Sequence, residues 1–185
     1  MREINVFFGL ICLIVLMSIA SPYFLTSDNL FNVLRGMSTI GIMAIGQTMV
    51  IITGGIDLSV GSLMAASSML TARLLTVNNE SAFAAVCCGL LFGLLLGTVS
   101  GLIITKFRIN PFITTLGMLS IGRGLTYLLA TGIKGGVASN IAVQNKTIIF
   151  LGSGYLGPFP FPVVLLFFLV ILLSLIHISE PTRPY

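Results

Sequence analysis

From Ser81 to Thr105 the chain carries no charged residue. An α-helix crosses the hydrocarbon core of a bilayer in about 20 residues, and a run like this one is long enough to do so. Such a run leaves few folds open, because a lipid-embedded backbone must satisfy its own polar groups as a helix or a closed barrel. No strand-type alternation at barrel spacing is present, so helices are expected. The rest of the composition agrees: 56% of residues are hydrophobic and 8% charged, and the mean hydropathy is +1.11. A soluble domain carries about 25% charged residues. This chain has too little polar surface to clothe a water-soluble globule. The fold class is an all-α integral membrane protein, a polytopic helical bundle.

The net charge of +4 is scattered. No Lys/Arg cluster suggests nucleic acid or a polybasic lipid patch. Cys12, Cys87 and Cys88 lie in apolar runs without metal spacing and read as small packing residues. No metal and no cofactor is expected. Arg2 precedes an apolar run with no clear cleavage site, which reads as an uncleaved first span.

Reading between charges gives about six spans: Ile4 to Ala20, Met37 to Thr53, Leu58 to Leu75, Ala82 to Thr105, Pro111 to Leu129, and Pro162 to Ser174. "LTSDNLFNVLRG" reads as a separate amphipathic helix at the interface, with Asp28 as its cap. Thr131 to Phe161 reads as a Gly-rich loop. Lys106 and Arg108 place their loop in the cytoplasm, whereas Lys134 and Lys146 would then face outward, so charge alone does not settle the topology.

A few residues stand out against this background. Asp57 is the only charge between Arg35 and Arg73. Gly54-Gly55 ends one helix, and Asp57 caps the next by accepting the N–H of Ser59 or Val60. Ser59, Ser62 and Ala66 present a small face behind it. The same break could border a solute route, where freed backbone groups meet water or substrate. Gly89, Gly93, Gly97 and Gly101 recur every four residues and form one bare stripe for close helix packing. Asn110-Pro111 opens the fifth span as cap and first-turn proline. Arg123 is a charge inside an apolar stretch and must snorkel, pair or face water. Gln47 could line a pathway or tie two helices together. Thr114 and Thr115 could line a polar route or bond back to their own helix.

"GGIDLSVGS" at Gly54–Ser62, with Gly61 completing it, closely resembles the signature of the permease subunits of bacterial ribose-type (monosaccharide) ATP-binding cassette importers. "SPYFLTSDNLFNVLR", "IGIMAIGQTMVIITGG" and "RINPFITTLGMLSIGRGLTYLLATG" match in order. The resemblance implies a multi-pass protein of the bacterial cytoplasmic (inner) membrane. Its partners would be a cytoplasmic ATP-binding subunit, an extracytoplasmic sugar-binding protein, a second permease subunit (homo- or heterodimer) and membrane lipid. It implies alternating access and no enzymatic site in this subunit. A sugar route needs hydroxyl and amide groups, which makes Gln47, Thr48, Ser59, Thr114 and Thr115 the pathway candidates. Such permeases have about ten spans and a cytoplasmic Glu-Ala-Ala-type coupling loop. After Leu173 the chain instead reads "SLIHISEPTRPY". The expectation is therefore an N-terminal permease part over 1–173, inactive alone, followed by a non-native, adapter-like tail over 174–185 that contains the only histidine, His177. The alternatives are an ion-coupled carrier resting on Asp57, or an intramembrane enzyme resting on Ser153 in "GSGY", which lacks a histidine or carboxylate partner.

Overall fold

The computed structural model describes residues 2–131 and 141–179. Lys134 and residues 180–185 of the expected tail lie outside these, as does the side chain of His177. The elements are α1 (Arg2–Ala20), α2 (Ser27–Ile52), α3 (Val60–Thr76), α4 (Ala82–Lys106), α5 (Pro111–Ala130), α6 (Lys146–Ser153), β1 (Tyr155–Leu156), β2 (Phe159–Pro160) and α7 (Phe161–Ser179). They form two compact units, one from Met1–Ile40 with Tyr155–Tyr185 and one from Gly41–Gly154.

Among the described residues, α2, α4 and α5 are long and apolar enough to cross a membrane, and α1 and α7 contain shorter apolar stretches. The expected third span, α3, has 17 residues and rises only about 26 Å. It is enclosed by protein: only Gly61, Met64 and Ser68 are exposed. By length and composition, three helices among the described residues qualify, and α1, α3 and α7 are the shorter members of the bundle.

Three expectations are corrected. The amphipathic segment and the second span form one helix of 26 residues. Nothing between them breaks a helix: Gly36 costs about 1 kcal/mol against alanine and no proline intervenes. Thr26, and not Asp28, caps this helix, since its Oγ1 accepts the Asn29 N–H at 3.4 Å and its carbonyl the Leu30 N–H at 3.0 Å. Asp28 sits in the first turn, where a carboxylate suits the positive end of the helix dipole. The expected loop before the last span holds α6, capped by Asn145 Oδ1 accepting from Thr147 and Ile148, and an antiparallel hairpin pairing Tyr155 with Pro160 and Leu156 with Phe159. Gly157 turns that hairpin at φ 60°. Helix α7 runs through Ser179, so the first residues of the stretch set apart as a tail continue it.

In the first unit, Arg35 ends its apolar isolation on the hairpin. Its guanidinium donates to Asn32 Oδ1 at 2.8 Å and to the Tyr155 hydroxyl, and lies 4.9 Å from the Tyr155 ring centre. Phe31 meets the same ring edge-on at 5.9 Å. A cation over an aromatic face gains more as water is excluded.

In the second unit, α3 packs against both α4 and α5. Its core is Leu63, Leu96 and Met118, with Phe92 and Leu125 packed around them. The outer face of α4, with Leu90, Leu91, Leu94 and Leu95, is uncovered, as suits a surface turned to lipid or to another helix.

Candidate functional site at a helix break

The break between α2 and α3 is built from backbone requirements. Gly54 adopts φ +79°, a left-handed conformation that side-chain-bearing residues avoid. Its N–H donates to the Ile51 carbonyl at 2.9 Å, and the Gly55 N–H donates to the Val50 carbonyl at 3.1 Å. This pair of bonds is a Schellman motif, which satisfies the last carbonyls of α2 and turns the chain. A Cβ on Gly55 would come within 3.2 Å of the Val50 side chain.

Asp57 then organises the entry to α3. Its Oδ1 accepts the Ser59 N–H at 2.7 Å and the Ser59 hydroxyl at 2.6 Å. The helix begins at Val60, with Ser59 as the cap residue, so Asp57 acts two residues before the cap position and not on a helix starting at Leu58. The Ser59 carbonyl accepts the Leu63 N–H at 2.9 Å and the Ser62 hydroxyl at 2.8 Å. Ser59 is fully buried. A buried polar turn of this kind stands only if its groups are paired.

Exchanging Asp57 for asparagine is expected to leave stability within about 0.5 kcal/mol, because an amide oxygen accepts the same N–H. Asp57→Leu is expected to cost about 1–2 kcal/mol by leaving the Ser59 donors unmet. Thermal unfolding in detergent checks both. Equal losses would show that the charge, and not the acceptor, matters.

The break opens onto a cavity of about 360 Å³. Its walls are the end of α2 and the break (Val50, Thr53 to Asp57), α4 (Gly97, Ser100, Gly101, Ile104, Thr105) and α5 (Pro111, Thr115). The hydroxyls lining it are committed as donors to backbone carbonyls: Thr53 to Val50, Ser100 to Leu96, Thr105 to Gly101 and Thr115 to Pro111. A hydroxyl that has spent its proton keeps its acceptor lone pairs. With the Asp57 carboxylate, the wall offers a solute mainly acceptors, and no lysine or arginine lines it.

The structure brings only some of the sequence candidates together here. Gly54, Gly55, Asp57 and Thr115 line the cavity; Ser59, Gly61 and Ser62, at the start of α3, are not among its lining residues. Gln47 and Thr48 are on α2 before the break and outside the lining, and the Thr48 hydroxyl bonds back to the Ala44 carbonyl. Thr114 is buried without a partner for its hydroxyl among the described residues and is not a lining residue. Arg123 is exposed on α5.

The glycine stripe of α4 divides. A Cβ on Gly89 would overlap the Thr71 hydroxyl and come within 3.1 Å of the Ser67 carbonyl oxygen, and one on Gly93 would lie 2.9 Å from Ser67 Oγ. Gly97 and Gly101 meet nothing within 4 Å; they border the cavity instead of packing on α3. Two contacts escaped the sequence reading. Gly122 lets α5 approach α3 so closely that a Cβ would sit 3.0 Å from Ser62 Cβ and 3.1 Å from its carbonyl carbon. Arg73 donates to the carbonyls of Leu129 at 2.8 Å and Thr131 at 3.0 Å. A small residue beside a lone intramembrane charge was the available signal for Gly122. Arg73 stood in the last turn of an apolar helix, where a cation suits the carbonyl end.

Ser153, the only basis for an enzymatic reading, lies in α6 with its hydroxyl donating to the Ile149 carbonyl at 2.9 Å. Among the described residues no group of His, Cys, Asp or Glu could hold a metal ion.

A bundle of apolar helices with a broken-helix element beside a cavity that carries a few hydroxyls and one carboxylate is the architecture of a membrane transport protein. The chain matches the family described as branched-chain amino acid transport system / permease component over residues 29–182; it belongs to this permease family and is a multi-pass protein of the inner membrane. It is 38% identical over 179 residues to the ribose import permease protein RbsC of Bacillus subtilis, covering 96% of this chain and 54% of the relative. With the ribose import permease protein RbsC of Escherichia coli K12 it shares 43% identity over 124 residues, 67% of this chain and 38% of the relative. With the D-allose transport system permease protein AlsC of the same organism it shares 31% over 178 residues, 96% and 52% of the two chains. The chain thus spans about half the length or less of these relatives. No solved structure matches it.

Proposed function

We propose that this chain is part of the translocation subunit of an ATP-binding cassette importer for a monosaccharide, with the helix-break cavity on the solute route. The cavity carries the reading: it offers acceptors to a solute rich in hydroxyl donors and holds no cationic side chain. Although the family description names amino acids, an amino acid is a zwitterion: Asp57, before α3, suits its ammonium, but the lining holds no cation for its carboxylate. The relatives above are named for ribose and allose, both uncharged polyols. Gln47, Thr48 and Thr114 extend the route on α2 and α5, while Arg123 faces a hydrated interior or the headgroups.

In this reading the subunit has no chemistry of its own. A cytoplasmic ATP-binding subunit supplies the energy, an extracytoplasmic binding protein delivers the sugar, and a second permease subunit completes the path. A ligand shifts a two-state equilibrium only by its differential affinity. A cavity that holds a sugar weakly suits release on the far side. The test is uptake of radiolabelled ribose, allose and leucine into proteoliposomes carrying the full-length permease with its ATPase and binding protein. ATP-dependent sugar uptake is expected. Uptake driven by a proton gradient without ATP, or of leucine in preference to either sugar, would overturn the proposal.

A further inference from the structure

The geometry points to Thr115 as a releasable latch that positions the helix break against α5. The Ile56 carbonyl lies in the non-helical segment between α2 and α3 and cannot join either helix ladder. Among the described residues, its one hydrogen bond comes from Thr115 Oγ1 at 3.2 Å. The same hydroxyl lies 2.8 Å from the Pro111 carbonyl and 3.4 Å from that of Phe112, and Thr115 is only 3% exposed. A hydroxyl has a single proton to donate, so this one is shared between its own helix and the break.

Sharing makes the latch easy to open. When the break moves off α5, Thr115 keeps a full bond to Pro111 and loses little. Only the Ile56 carbonyl needs a new donor. Ile56 and Thr115 both line the cavity, so a solute hydroxyl or water entering there can supply it. The second tie between α3 and α5, from Arg73 to the end of α5, uses a charged donor with no competing acceptor among the hydrogen bonds on its side chain. The break end of the α3–α5 pair is therefore the end that gives. This role rests on the transport reading for its consequence, though not for its geometry.

The test compares Thr115→Val, which keeps the shape and removes the proton, with Thr115→Ser, which keeps the proton. In the full-length permease with its ATPase and binding protein, Thr115→Val should lower the sugar moved per ATP hydrolysed by about tenfold, the scale of one lost hydrogen bond. Half-saturation should stay within about twofold, and Thr115→Ser should restore coupling. In the same proteins carrying Leu58→Cys, with the native Cys12, Cys87 and Cys88 replaced by alanine, alkylation by a membrane-impermeant maleimide should quicken with Thr115→Val and not with Thr115→Ser. Uptake and ATP hydrolysis falling in proportion, serine behaving as valine, or unchanged alkylation would each overturn the latch. The alkylation arm needs no transport. Wild-type protein that moves no sugar would sink the transport reading, and the latch would still be judged by that arm.

Discussion

Gly122→Leu is expected to separate α5 from α3 and destabilise the second unit by about 3 kcal/mol, the upper part of the range for overpacking a close contact. The obstacle is mostly immovable. A new Cβ would meet Ser62 Oγ at 2.7 Å, its Cβ at 3.0 Å and its carbonyl carbon at 3.1 Å. Ser62 is itself buried and bonded to Ser59, so it cannot rotate away without exposing a polar group. Leu63, one residue on, belongs to the core with Met118, and a shift of α3 would loosen that too. Gly97→Ala makes the contrast. With nothing within 4 Å, it should be neutral or stabilise the helix by up to about 1 kcal/mol through propensity alone. Thermal unfolding in detergent separates the two. A Gly122→Leu protein as stable as the parent would mean that α3 and α5 do not pack as described.

Arg73→Met is expected to cost about 2–3 kcal/mol, the scale for hydrogen bonds to a charged group. The methionine preserves much of the apolar stem but removes both bonds to the Leu129 and Thr131 carbonyls. Those carbonyls belong to the last turn of α5 and the residue beyond it, where the helix has no donors left. In a lipid environment each would be costly to leave bare. Arg73→Lys should recover part of the loss, because an ammonium on a shorter stem supplies charge without the guanidinium's spread of donors. Thermal unfolding together with hydrogen exchange at the end of α5 checks this. Equal stability of the methionine and arginine proteins would remove Arg73 from the α3–α5 tie.

The two substitutions fall on residues that the sequence showed without revealing their partners. Gly122 was visible only as a neighbour of Arg123, and Arg73 only as a charge ending an apolar run. Local signals fared better where the cause is local. Asn110-Pro111 opens α5 with the Asn110 side chain accepting the Phe112 N–H at 2.9 Å, and Ala82–Lys106 ends at the first lysine after the charge-free run. The turn at Gly54-Gly55 and the acceptor role of Asp57 are also local, since two to five residues complete every bond involved. Reading Arg35 as the edge of a span divided α2 in two. Its charge is met instead by Tyr155, far along the chain, a partner that no window around Arg35 contains.

The glycine stripe shows where sequence reading stops. A spacing of four dictates that Gly89, Gly93, Gly97 and Gly101 share one face of a helix, because the α-helix repeats every 3.6 residues. It does not dictate what that face meets. Helix α3 lies against the first two glycines, and the chain's bend at the break leaves the last two beside a cavity. Apolar run length, the Asn110-Pro111 helix start and the turn at Gly54-Gly55 are consequences of bonding within a few residues, and the sequence alone determined them. The pairing of α3 with α5 through Gly122, Arg73 and Thr115, and the cavity that pairing leaves against α4, depend on contacts between distant residues. Only the tertiary structure decided those, because lipid rewards no particular pair of apolar helices and close fit alone selects among them.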